Sequence, residues 1–276
     1  MCEIKDIGTW EIAARAIIRH IDADEYQLVC PDAQIADFES ATCAGWNVVG
    51  EGRYSENCGL SMILSRVKGE NQTRGHWLFQ QFVKINAINQ SGLEDSDLVL
   101  IWDADTVPLR RIDFIDAVSG RVAFYHGAEN HPPYFDTMTR LLGYGKLTDK
   151  SFIAQCLPVR VGWVRQFVGG IESEFNAPFA AVVLDLLPGQ SGSEFSEYET
   201  LGTWILKNHP DEVVFKARNR WLRSGANLLK ADREGYRSRM ILRGLSLYYD
   251  FVAIERWSRP VTWKRVIGKI ARLFST

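Results

Sequence analysis

Two aspartates one residue apart, Asp103 and Asp105, follow an unbroken apolar run, Leu98–Trp102. Five apolar residues in a row read as a buried strand, central in a sheet. In an extended chain residues i and i+2 point to the same side, so the two carboxylates converge. Adjacent carboxylates repel unless something positive lies between them. A hard divalent cation with oxygen ligands is the natural partner. In an open α/β sheet the carboxyl edge of the strands is also where ligands bind. The bland alternative is a strand closed by acidic turn residues.

A second acidic pair lies at Glu197 and Glu199. Ser196 and Glu199 form the Ser-x-x-Glu capping-box pattern, which gives Glu199 a structural task at the start of a helix. Glu197 has none, and a carboxylate there is the candidate general base or contact to an acceptor hydroxyl. That helix ends at His209-Pro210, where a histidine is favoured by the helix macrodipole. Upstream, His76 to Asn89 reads as an amphipathic helix burying Leu78, Phe79, Phe82, Val83 and Ile85. Asn86 falls in the same stripe and must find a hydrogen-bond partner there. Trp77, Gln81, Lys84 and Ile88 share another face. His126 and His131 are candidates for contact with a hydroxylated ligand, or simply exposed loop histidines.

The elements that must position these residues alternate. Thr9 is a candidate cap for a helix running to about His20. Strands are expected at Tyr26–Cys30, Trp46–Val49, Val122–His126 and Ser151–Val159. Helices are expected near Leu60 to Leu64, from about Tyr134 to Leu142, from Trp163 to Gly169-Gly170, where the pattern is interrupted or resumes to Glu174, and from Ala177 to Leu187. Thr106 to Arg111 reads as a loop. Alternation of this kind favours a mostly parallel sheet flanked by helices.

The chain has 276 residues with 46% hydrophobic and 24% charged content, ordinary for a globular protein. Residues 1–20 lack a signal-peptide pattern, and no apolar run approaches a membrane span. The five cysteines have no metal-type spacing and read as reduced thiols of a cytoplasmic protein. The net charge of −2 hides an asymmetry, because residues 215–276 carry fifteen Lys and Arg against four Asp and Glu. A basic C-terminal portion points to phosphate groups, nucleic acid or a membrane surface. Lys216, Arg218, Arg220 and Arg223 are interleaved there with Trp221, which suits phosphate or glycan contacts. From Thr262, Trp263, Val266, Ile267, Ile270, Leu273 and Phe274 recur at spacings of three and four, with Lys264, Arg265, Lys269 and Arg272 mainly opposite. That is the pattern of a helix lying in a membrane interface, or of a terminal helix docked on its own core.

The strand ending in Asp-x-Asp resembles the metal site of GT-A-fold nucleotide-sugar glycosyltransferases. Gly75–Lys84 resembles the helix such enzymes place before that strand. Ser196–Gly202 resembles a segment of a bacterial family of uncharacterised Asp-x-Asp putative glycosyltransferases. The resemblance covers roughly residues 26 to 210. It implies an α/β, GT-A-like (Rossmann-like) fold; the catalytic domain then spans 1–255, and the basic helix read from the spacing spans 256–276. It also implies Mn²⁺ or Mg²⁺ on Asp103 and Asp105, with His209 as an allowed third ligand. Asp105 and Glu197 are then the catalytic candidates. The helix carrying Trp77, Gln81 and Lys84 borders the donor diphosphate, where Lys84 would neutralise a phosphate. Such enzymes open with a strand, for which the sequence offers only Glu3–Ile7. The implied partners are a nucleotide-sugar donor, a glycan or lipid-linked acceptor, and an anionic membrane surface through 260–276, with no nucleic acid. Two rival readings share these residues. One is a haloacid-dehalogenase-type phosphatase with Asp103 as nucleophile; the other is a non-catalytic sugar- or lipid-binding module.

Overall fold

A computed structural model of the chain describes residues 4–67, 72–189, 193–223 and 236–254. The expected helix over 256–276 lies outside the described residues. Contacts divide the chain into two compact units. One comprises Met1–Gly50, Trp102–Asp113 and Arg218–Thr276; the other comprises Glu51–Ile101 and Phe114–Ala217.

In the first unit, a 3-10 turn at Ile4–Asp6 leads into helix α1, Ile7–His20. The short opening strand expected at Glu3–Ile7 is therefore helical from Ile4 onward. Thr9 lies inside α1 rather than at its cap. The helix buries Trp10, Ala13, Ala14 and Ile17, and Trp10 meets Trp46 edge-on at 4.6 Å. Strands β1 (Tyr26–Cys30) and β2 (Trp46–Gly50) pair in parallel, Tyr26 against Trp46 through Cys30 against Gly50. Helix α2 (Ile35–Ala41) crosses between them and buries Phe38. At the end of β2 a Cβ on Gly50 would come within 1.9 Å of the Asp32 carboxylate, so a larger residue there would have to displace Asp32.

In the second unit, α3 spans Leu60–Arg66 and α4 spans Gln72–Asn89. The described face of α4 buries Leu78, Phe79, Gln81, Phe82, Val83, Ile85 and Ile88. Asn86 finds its partners in the Tyr54 and Glu56 carbonyls at 3.0 and 3.3 Å. Strand β3 is Leu98–Trp102. It is less buried than its composition implies, with only Ile101 fully enclosed. Among the described residues β3 pairs only with β6, Cys156–Arg160, and so is not central in a wide sheet.

The chain after β3 returns to the first unit, where β4 (Thr106–Pro108) replaces the loop expected there. It pairs antiparallel with the last described strand, β9 (Phe251–Ala253), and β9 pairs in parallel with β8 (Trp221–Leu222). In the second unit β5 (Val122–Phe124) and β7 (Val213–Phe215) form a parallel pair.

Helices α5 (Pro132–Leu142), α6 (Val161–Phe175), α7 (Phe179–Leu186) and α8 (Glu197–Asn208) complete that unit. Gly169 and Gly170 do not interrupt α6. Trp163, Val164, Phe167, Val168 and Ile171 form one continuous buried face across them. Each such side chain contributes about 1.5–3 kcal/mol on burial, more than the roughly 1 kcal/mol lost per helical glycine. The expected strand over Ser151–Val159 is regular only from Cys156. Ser151 makes an isolated antiparallel bridge with Gly127, and Gln155 turns the chain with φ of 64°. A last described helix, α9, spans Tyr236–Leu245. The architecture is α/β, with parallel strand pairs and packed helices.

Candidate functional site

The acidic pair sits where β3 gives way to a turn. The Thr106 amide donates to the Asp103 carbonyl at 2.9 Å, closing a turn over Ala104 and Asp105. The pleat of a strand therefore does not extend to Asp105, and the turn sets its direction. This corrects the expectation that strand alternation aligns the two side chains. The Ile254 amide donates to the Asp105 carbonyl at 2.8 Å, and the Trp102 indole donates to the Thr106 carbonyl at 2.8 Å. These bonds fix the backbone of the turn, and both aspartates are half-buried on it. The Thr106 hydroxyl is fully buried and has no hydrogen-bond partner among the described residues.

Among the described residues no three His, Cys, Asp or Glu side chains gather as a metal cage. Two carboxylates alone still suit Mg²⁺ or Mn²⁺. Such ions keep water and substrate phosphates in their shell and take only one or two carboxylates from the protein. The hard oxygen donors of Asp103 and Asp105 fit an ion of this kind.

Helix α8 carries the second pair, in the other unit. Ser196 caps it as expected, its hydroxyl accepting from the Glu199 amide at 3.3 Å. The reciprocal half of the box goes elsewhere. The carboxylate of Glu199 accepts from the Ser151 hydroxyl, tying α8 to the segment before β6. Glu199 is wholly buried and its Oε2 has no hydrogen-bond partner among the described residues. Burial raises its pKa above the ordinary carboxylate value, against the opposing effects of the Ser151 hydroxyl and Lys146. Glu199 is thus a buried clasp rather than a surface cap. Three residues on, a Cβ at Gly202 would lie 2.3 Å from Cγ of Phe152, so glycine is what lets that segment close on the helix.

Glu197 occupies the first turn, and its side chain is 4% exposed. Lys84 of α4 donates to its Oε1 at 2.8 Å and lies 4.7 Å over the Tyr198 ring. Gln81, one turn earlier on α4, accepts the Glu197 amide at 2.8 Å and supplies a missing partner at the helix start. The Gln81 Nε2 is buried with no partner among the described residues. Gln81, Lys84 and Glu197 are therefore brought together. Lys84, expected at a phosphate, is paired with Glu197 here. Trp77 lies one turn further up α4, stacked 6.3 Å from Tyr134. Tyr134 in turn meets His131 edge-on at 4.4 Å, and the His131 ring bonds to the Ser193 carbonyl at 3.1 Å. Tyr134 was not singled out in the sequence; an aromatic two residues past a Pro-Pro helix start was the available signal.

His209 ends α8, about 18 Å from Glu197 at 1.5 Å per residue. Its Nδ1 lies 2.9 Å from Glu212 Oε1 and its Nε2 lies 3.2 Å from Gln166 Oε1. The ring also stacks on Trp163 at 5.2 Å. With both nitrogens engaged, no lone pair is left for a cation unless one of these bonds breaks. The third-ligand role for His209 is corrected to that of a helix-end histidine. His126 packs edge-on against Phe215 at 5.7 Å, and burial lowers its pKa. Both environments favour a structural imidazole.

No protein-family model matches the sequence, and no curated protein matches it. Solved structures do. The apo form of mouse xyloside xylosyltransferase 1 aligns with TM-score 0.51 and 10% identity, over 92% of this chain and 93% of that one. The fold is of the GT-A glycosyltransferase type. A structure of an active-site mutant of LgtC aligns with TM-score 0.49 and 11% identity, over 99% of this chain and 94% of that one. No helix among the described residues of this GT-A-type chain is long and apolar enough to cross a membrane.

Proposed function

We propose that the protein is a metal-dependent glycosyltransferase, moving a sugar from a nucleotide-sugar donor to a hydroxyl of a glycan or lipid-linked acceptor. The observation that carries this reading is the acidic turn, Asp103 to Thr106, closing a strand of a GT-A-type fold. Asp103 and Asp105 are the residues to hold Mn²⁺ or Mg²⁺, which when bound neutralises charge on the departing diphosphate.

Glu197 is the carboxylate assigned to the attacking hydroxyl, as base or hydrogen-bond acceptor. Lys84 orients it, and Gln81 fixes the first turn that carries it while its buried amide nitrogen remains to donate. Trp77, backed by Tyr134, offers a flat apolar face of the kind on which a sugar or base stacks. The anionic membrane surface belongs to the same reading, through residues 260–276 outside the described residues, with the protein on the cytoplasmic face.

The phosphatase reading lacks support from the fold, and the binding-module reading leaves the acidic turn without a task. The test is turnover of a panel of nucleoside-diphosphate sugars with and without Mn²⁺. Transfer or donor hydrolysis that stops with chelator supports the proposal. Release of phosphate from simple phosphoesters would replace it with the phosphatase, and binding without turnover would replace it with the module.

A further inference from the structure

The register of the first unit's small sheet separates its two ends. Thr106 faces Ala253 and Pro108 faces Phe251, while Trp221 lies beside Phe251. One end holds Asp105, whose carbonyl accepts from Ile254. At the other end the Leu109 amide donates to the Asp250 carbonyl at 2.8 Å, and the Asp250 amide donates to the Arg220 carbonyl at 2.7 Å. The three residues of β4, at about 3.3 Å each, put roughly 10 Å between these two ends.

Three arginines gather at that second end. Arg110 Nε lies 3.6 Å and Arg218 Nε 3.7 Å from the same oxygen, Oδ1 of Asp250. The Asp250 side chain is 9% exposed, whereas Arg218 is 49% exposed. Arg110 also donates to the Ser246 carbonyl. The Arg220 guanidinium lies 4.5 Å over the Tyr248 ring and makes no ion pair with a described residue.

Arg220, whose backbone carbonyl accepts from the Asp250 amide, adds a third cation, while Arg110 and Arg218 share one carboxylate. Its contact with Arg218 is too long for a hydrogen bond, so it steadies that arginine without consuming its N–H donors. A planar fork with unspent donors, half in solvent and held by a buried anion, is suited to phosphate oxygens. Arg110 follows β4, Arg218 and Arg220 precede β8, and Asp250 precedes β9 between them, which makes the spacing a property of the sheet.

We propose that the arginine end of this sheet, Arg110, Arg218 and Arg220 around Asp250, is a metal-independent binding site for a phosphate or diphosphate group, distinct from the acidic turn. It does not depend on the glycosyltransferase reading. Where that reading holds, the phosphate bound here is the acceptor's, since the donor's belongs with the metal.

The test is calorimetric titration of the full chain with inorganic pyrophosphate in excess chelator. Wild type binds saturably, more weakly as salt rises. Arg218→Ala with Arg220→Ala binds at least about tenfold more weakly, the loss expected for one charge-assisted contact. Asp103→Asn with Asp105→Asn binds like wild type. Asp250→Asn, judged folded by its circular dichroism, binds more tightly because it removes the carboxylate that competes for the arginines. The Lys double variant, Arg218→Lys with Arg220→Lys, keeps the charge and part of the affinity, which separates lost binding from lost folding. No saturable pyrophosphate binding, or equal binding by the alanine variant, overturns the site. Vesicles containing phosphatidic acid identify the source. Vesicle binding that pyrophosphate displaces assigns the phosphate to a lipid headgroup, and pyrophosphate binding without vesicle binding assigns it to a soluble ligand.

Discussion

The two acidic pairs of this chain share a sequence spacing and differ in almost everything else. Asp103 and Asp105 lie on a backbone-fixed turn, half-buried and reachable from solvent. Glu197 and Glu199 lie in the first turn of α8 with residue exposures of 3% and 0%, each bonded to its own protein partner, Lys84 or Ser151. Burial of carboxylates is tolerated only with such partners or with a proton. The difference separates a half-buried pair on a turn from a pair that holds elements of the protein together. Within the second pair the split repeats: Glu197 is matched by a cation, and Glu199 is kept toward its neutral form.

The comparison can be broken by exchanging phenotypes. Asp105→Ala is expected to lower transferase turnover by about 10²-fold or more, the scale of a lost electrostatic stabiliser, with an unchanged melting temperature. Equal losses of turnover and melting temperature would make the turn a structural feature like the α8 pair. Lys84→Met should do the opposite first. It leaves Glu197 buried without its cation, a loss of about 3–5 kcal/mol for a broken buried pair, read by denaturant unfolding. Gly202→Ala should cost about 1–3 kcal/mol, as Phe152 is pushed from α8, against about 1 kcal/mol gained in helix propensity.

Glu199 makes a sharper prediction through pH. A carboxyl whose folded pKa is raised holds more protons folded than unfolded. Its contribution is therefore fully present below the ordinary value of 4.5 and is lost as pH rises through the raised folded value. Wild-type stability should fall with rising pH over that window, while Glu199→Gln, neutral throughout, should lose that slope and match or exceed wild type at neutral pH. A slope that survives in Glu199→Gln would assign the effect to another group. The smallest effect is expected at Gly169 and Gly170. Neither has a neighbour within 4 Å of an added Cβ, so alanine at either should stabilise by about 0.5–1 kcal/mol.

These differences also mark what the sequence could tell. Strands β1 and β2 were legible because Pro31-Asp32 and Gly50 punctuate them, and α4 because its apolar stripe repeats at helical spacing. The requirement on Asn86 was legible because an amide in a buried stripe must be satisfied. The pairing of β4 with β9 was not, since three-residue strands some 140 positions apart leave no local signal. Nor could periodicity show that Gly169 and Gly170 would be carried through by the packing of α6. At the site, the residue types were legible and their partners were not. The Ser196 cap follows from spacing, but Ser151 on Glu199 and Lys84 on Glu197 depend on contacts 48 and 113 residues apart.

The central claim is that the acidic turn receives a nucleotide sugar together with a divalent ion. The most direct measurement is the melting temperature against a panel of nucleoside-diphosphate sugars, with Mn²⁺ or with chelator. At a donor concentration near 100 times its dissociation constant, mass action adds about 2.7 kcal/mol to the native state. We expect one donor to give a rise of that size with Mn²⁺, absent with chelator and absent from Asp103→Asn with Asp105→Asn. The same rise in chelator, or in the variant without the two carboxylates, would contradict the account.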